Sequence, residues 1–395
     1  MSGIMKALGV SISLVGACAL SACAPKVTTS GPGTPGQTQS GAPAVDLSSP
    51  VKVALLTPSS ASNPGAAALG RSLVNAARLA TQDVGDPNLQ LAVYDTAGDP
   101  ATAARVADRA VREGAKIILG PLFGSSTKAI ASTAAASGIN VISFSTDSTI
   151  AGGPIFLSGF LPEKAAIRIT GFARAQGYGT LGVFHPRTPY GDIAISGARR
   201  AMGNSVVTAT GYERSQDGIP PAARDFAANA RSSGARALLI AESGQALTYV
   251  AELLGSEGLT AERYKFLGLG EWNAKTTLES KVLRGGWFPA PDPSAMESFV
   301  ARYQTAYGAQ PPPLAVLGYD AVQIAGQLLS EARAAGSGDP FSGQAIKRPR
   351  GFRGAVGPIL FDQRGMAERS MAILQVDTGR FSLVDRAPTV LGAGS

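Results

Sequence analysis

One histidine and two cysteines are the only imidazole and thiol side chains in this chain of 395 residues. Both cysteines, Cys18 and Cys23, fall within the first 23 residues. The body therefore has neither a disulfide nor a thiolate metal site. His185 alone cannot hold a metal, and no carboxylates stand at ligand spacing around it. No G-x-S-x-G elbow, Walker loop or dinucleotide-binding glycine motif follows a strand, and a Ser-His pair would have to recruit His185 without a supporting motif. No catalytic residue, metal or cofactor is expected, and the chain reads as a non-enzyme. Charge is also scarce. Only 16% of residues are charged, the net formal charge is +7, and no basic stripe is interleaved with aromatics, which sets nucleic acid aside. The apolar run over residues 7–20 is too short for a permanent membrane span.

What is present is a turn-rich globular composition, with 45% apolar residues, 48 glycines and 26 prolines. The N-terminus has a basic Lys6, then the apolar run, then Leu20-Ser21-Ala22-Cys23. This resembles the bacterial lipobox, which implies a signal over 1–22 and a lipidated Cys23; the alternative is an ordinary secretory signal cut nearby. By the same resemblance the protein faces the periplasm, and Ala24, where an Asp would favour the inner membrane, points to the outer one. Residues 23–50 are then the lipidated Cys and a tether rich in Gly, Pro, Ser, Thr and Gln, with a reach on the order of 30 Å.

From residue 51 the pattern is α/β. Short apolar runs suited to strands buried on both faces alternate with amphipathic helices, as expected of parallel strands with right-handed crossovers. The stretch 115–127 shows the unit: the run Ile117-Ile118-Leu119, a stop at Gly120-Pro121, and Gly124-Ser125-Ser126-Thr127 before a helix expected over 128–137. Ser125 and Ser126 stand at a strand's carboxyl end, where open sheets bind ligands, either capping the helix or sharing its free N–H groups with an anion. The loop Ser145-Thr146-Asp147 follows the next strand, with Asp147 as a turn cap or a ligand contact. A second α/β unit begins near residue 163. Its expected strand at 266–269 leads into Glu271 and Trp272, where an acid could receive an ammonium and an indole could cover it, or where a surface acid sits beside a packing indole. The densest charge run, residues 347–353, is either a solvated loop or a grip on an anionic partner.

The order of elements, together with Gly98-Asp99-Pro100, the Leu-Gly-Pro…Ser-Ser-Thr loop and Pro189-Tyr190-Gly191, resembles the type I periplasmic binding proteins, nearest the leucine-binding receptors. That resemblance implies two lobes, parallel sheets flanked by helices, and three inter-lobe crossovers. Lobe one is expected at about 51–161 plus 289–355, lobe two at about 162–288 plus 356–385, with a tail at 386–395. Within this class, Ile118-Leu-Gly-Pro-Leu-Phe123, Ser143-Phe-Ser-Thr-Asp147, Gly159-Phe-Leu-Pro162 and Thr188-Pro-Tyr-Gly191 resemble the penicillin-binding protein activators. The expected function is then non-catalytic: a lipid-anchored protein that activates a peptidoglycan synthase by direct contact. The alternative is the solute-binding receptor of an importer, with a small polar or amino-acid ligand in the inter-lobe cleft. For that reading, Tyr190 matches the receptors' stacking tyrosine and Ser145-Thr146 their hydroxyl contacts. Glu271 or Gly270 falls at the acid that grips an ammonium, and Gly124 replaces their ligand serine.

Overall fold

The computed structural model describes residues 45–336 and 338–392. The signal, Cys23 and the tether up to residue 44 lie outside them. The first sheet is built from β1 (Val51–Thr57), β2 (Leu89–Asp95), β3 (Ile117–Leu119), β4 (Val141–Ser143) and β5 (Ile155–Leu157), all parallel, in the order β2-β1-β3-β4-β5. Helices α1 (Pro64–Val84), α2 (Pro100–Arg112) and α3 (Gly124–Ala136) connect the first four. Asn63 caps α1 and Asp99 caps α2, each accepting from a first-turn N–H with Pro at the helix start; each cap contributes about 1 kcal/mol. Along β1, Val53 and Leu55 face one core and Ala54 and Leu56 the other, as period-two geometry requires of a strand covered on both sides.

The chain then enters the second lobe. It runs through α4 (Pro162–Ala175), β6 (Leu181–Pro186), α5 (Pro189–Met202), β7 (Val206–Tyr212), α6 (Ile219–Ser232) and β8 (Ala237–Ile240). It continues through α7 (Gly244–Ser256), β9 (Lys265–Leu267), α8 (Lys275–Glu279) and β10 (Trp287–Ala290). Returning to the first lobe, it forms α9 (Pro293–Tyr307), α10 (Val316–Ala335), α11 (Gly343–Ile346), β11 (Phe352–Gly354), β12 (Gly357–Phe361) and β13 (Ala367–Arg369). Finally β14 (Ala372–Val376) and β15 (Phe381–Asp385) complete a second sheet ordered β15-β14-β10-β9-β8-β6-β7, with β14 antiparallel to β10. The fold is thus the two-lobed α/β architecture with three crossings, after β5, after β10 and after β13.

Two boundaries differ from expectation. β10 belongs to the second sheet although its second half lies beyond residue 288, and β12 and β13 pack in the first core, not the second. Phe361 on β12 meets Phe156 of β5 edge-on at 5.8 Å, which holds this small sheet on lobe one. Helix α10 is buried along most of its length against α1. Gly318 permits that approach, because a Cβ there would stand 2.4 Å from the Leu73 carbonyl oxygen. β11 is the edge of its three-stranded sheet, and the Gln327 carboxamide occupies that edge. It accepts from Arg353 N at 3.1 Å and donates to Arg353 O at 2.9 Å, taking the place of a neighbouring strand. At the crossings, Lys164 of α4 pairs with Asp362 at 3.1 Å and Glu163 with Arg364 at 3.2 Å, so side chains tie the two lobes beside the connecting segments.

Candidate functional site

The carboxyl ends of the parallel strands in both sheets carry polar side chains, and those of the second are the more tightly organised. β8 stops at Ile240, and two residues later Glu242 lies 1% exposed. Its carboxylate accepts from the Tyr212 hydroxyl at 2.8 Å, from Arg214 Nε and Nη2 at 2.8 and 2.9 Å, and from Ser243 N at 3.2 Å. A buried acid is tolerable only with such a full set of donors. Tyr212, at the end of β7, stacks on Phe184 with centroids 4.4 Å apart. Beside this group, Tyr190 in the first turn of α5 donates to Glu271 Oε2 at 2.7 Å. Burial pushes the Tyr190 phenol well above its ordinary value, with the Glu271 charge and hydrogen bond and then the Glu242 charge adding to it, while Arg214 opposes. The two pairs therefore form one electrostatic cluster. Tyr212 is raised in the same way, by burial first and by Glu242 next.

On the first sheet, α3 begins at Gly124, four residues before the expected start at 128. The hydroxyl run is thus the helix's own first turn, and none of its side chains caps it. Ser125 is exposed, while Ser126 is 1% exposed with its Oγ unpartnered. Ser145 is buried and accepts from Asp147 N at 3.1 Å, and Thr146 is exposed. Asp147 caps the following turn through Thr149 N and pairs with Lys128 at 2.9 Å. Burial works to raise the Asp147 carboxyl, but hydrogen bonds from Thr149 and Lys128 hold it below the usual carboxylate value. A Cβ on Gly124 would stand 3.2 Å from Asp147 Cβ and 3.3 Å from its Oδ2, so Asp147 fills the space beside α3 where a serine side chain would project.

Of the two readings of Trp272, the packing indole is the one found. It is fully buried in the second core, packed so closely on Gly268 that a Cβ there would fall 1.9 Å from its ring. It supports the Glu271 turn from beneath and offers no cover to a ligand. His185 is buried at the end of β6, with Nδ1 3.1 Å from Pro186 O. Tyr212, Arg214 and Glu242 were not singled out from the sequence. Glu242 had the same signal as Glu271, a first acid after an apolar strand, in Ala237-Leu-Leu-Ile-Ala-Glu242. Among the described residues, no three of His, Cys, Asp and Glu cluster where a metal could bind.

The profile of a family described as periplasmic binding protein matches residues 50–380. The chain belongs to that family. Three of the solved structures similar to this periplasmic binding protein show the extent of the likeness. A protein assigned to branched-chain amino acid ABC transport in Rhodospirillum rubrum shares 19% identity at a TM-score of 0.72, over 85% of this chain and 99% of that one. A leucine-binding protein of Thermotoga maritima shares 22% at 0.59, over 85% and 98%. An ABC-transporter solute-binding protein of Rhodopseudomonas palustris, solved with 3,4-dihydroxybenzoic acid, shares 20% at 0.60, over 86% and 98%. No curated protein sequence matches the chain. At these identities the likeness establishes the fold. The family is one of binding proteins, and no helix among the described residues of this member is long and apolar enough to cross a membrane.

Proposed function

We propose that the chain is the solute-binding receptor of an importer, holding a small polar ligand, foremost an amino acid, between its two lobes. The observation that carries this reading is the cluster at the carboxyl ends of the second sheet. Glu271, exposed and oriented by Tyr190, offers a carboxylate to an ammonium, and the half-exposed Arg214 offers guanidinium N–H groups to a carboxylate. The Ser145–Asp147 loop and the start of α3 supply hydroxyl and N–H groups from the first lobe. Leucine-binding and hydroxybenzoate-bound proteins of the same fold support a ligand of this size. Calorimetry with the twenty amino acids and with hydroxybenzoates tests it. At least one should bind, and Glu271→Gln should weaken an amino acid at least tenfold. Absence of heat and of thermal stabilisation with every compound overturns the reading.

A second reading is favoured by the run of activator-like motifs at 118–123, 143–147, 159–162 and 188–191: stimulation of a peptidoglycan synthase by direct contact, from a lipid anchor at Cys23 in the outer membrane. Co-purification with a bifunctional synthase and a raised polymerisation rate support it. Their absence with every synthase of the host removes it. Loss of palmitate labelling in Cys23→Ala checks the anchor separately.

A further inference from the structure

Away from the strand ends, α10 and the segment that leads through β11 enclose a recess of about 770 Å³. Four guanidinium groups line it, Arg302, Arg348, Arg350 and Arg353, against one lining carboxylate, Glu331. Arg302 is matched by Asp83 at the margin, whereas Arg348 and Arg350 share Glu331. One acid serving two arginines leaves the recess with surplus positive charge. Arg348 is fixed in place, donating to Gly351 O at 2.7 Å and lying over the Phe352 ring at 4.0 Å. Arg350 and Arg353 are exposed.

The recess is long as well as basic. Smaller recesses of about 560 and 480 Å³ share Glu331 with it, and the α10 stripe from Tyr319 to Glu331 runs about 18 Å at 1.5 Å per residue. That length matches about five residues of extended peptide. The Gln327 amide already holds the β11 edge at Arg353, so an added strand is refused there and recognition falls to side chains. We propose that this groove binds an acidic peptide segment of a partner protein, its carboxylates seated on the forks of Arg350 and Arg353. The chain's own tether is not the occupant, because residues 24–44 contain no acid. The recess is concave and Arg348 is mostly sunk within it, which suits side chains better than a flat layer of headgroups.

Anisotropy of fluorescein-labelled hexaglutamate with the full-length chain tests the proposal. We expect saturable binding that weakens with added salt and falls at least tenfold in Arg350→Glu/Arg353→Glu. The neutral pair Arg350→Gln/Arg353→Gln should lose binding by a smaller factor, and serves if the charge reversal fails to fold. Arg105→Glu on α2, a single charge reversal away from the recess, should bind as the parent does. No binding, an equal loss in Arg105→Glu, or preferential binding of phosphatidylglycerol vesicles through the same arginines would overturn it. Amino-acid binding at the strand-end cluster should be the same in all these variants, so either site can fail without the other.

Discussion

Arg369 donates from Nη1 to Asp320 Oδ2 at 2.7 Å, and neither side chain reaches solvent to any useful extent. The same guanidinium donates from Nε to the Ser158 carbonyl at 2.6 Å and lies over the Phe160 ring at 4.9 Å, while Asp320 Oδ1 accepts from Ala355 N. One ion pair thus joins α10 to the segments just before the first and third crossings. Replacing Asp320 with Ala strands a buried cation and should cost about 3–5 kcal/mol in urea unfolding. The apolar pair Asp320→Leu/Arg369→Met should recover much of that loss. A cost below about 1 kcal/mol in the single variant would contradict this role.

Alkaline pH should weaken the fold through its buried phenols. Burial, then a 2.7 Å hydrogen bond to Glu113 and that group's charge, push Tyr94 from its ordinary 10.0 up to about 12. Tyr190 and Tyr212 move the same way. Between these values the unfolded chain has lost protons that the native state still holds, so stability falls as pH rises. Below pH 10 the phenols contribute no pH dependence. Unfolding midpoints across pH 8–12 should therefore bend downward above 10, less steeply in Tyr94→Phe. An equal slope in that variant would remove Tyr94 from the account.

Gly124→Ser should not restore a receptor-like contact by itself. The new side chain meets Asp147 and Ser145 Oγ within 3.3 Å, an overpacking worth about 1–3 kcal/mol. Adding Asp147→Gly removes both its Cβ and its carboxylate from that space and leaves Ser145 Oγ as the remaining contact, so the double variant should regain part of the lost melting temperature and gain leucine affinity relative to the single one. Calorimetry and thermal melts read both effects. A Gly124→Ser protein that binds leucine tightly with Asp147 in place would show that the loop yields more easily than its packing suggests.

The two-lobed architecture was legible because its signals are local. Fully buried strands such as Ile117–Leu119 are short apolar runs, and Asp99-Pro100 is a cap written in two residues. Which sheet a strand joins is not local. β10 contains Pro289, which weakens a strand pattern, yet it pairs with β14 more than eighty residues later. β12 gave no sign that Phe361 would seek Phe156. The site was legible in part for the same reason. Glu271 and Tyr190 announce themselves at strand ends, but their hydrogen bond spans 81 residues, and the burial that separates Trp272 from its neighbour Glu271 depends on Gly268 in the finished core.

The path of the chain also sets a timetable. The first lobe opens at residue 51, but α10, which covers one face of its sheet together with α1, begins at Val316, and Phe361 arrives later still. A nascent chain of 160 residues has its first five strands and lacks part of one wall of their core. Until the last quarter is made, Val53, Leu55, Ile117 and Leu119 have only α1 as apolar cover on that side, so the lobe that starts first cannot be complete before most of the second has been synthesised.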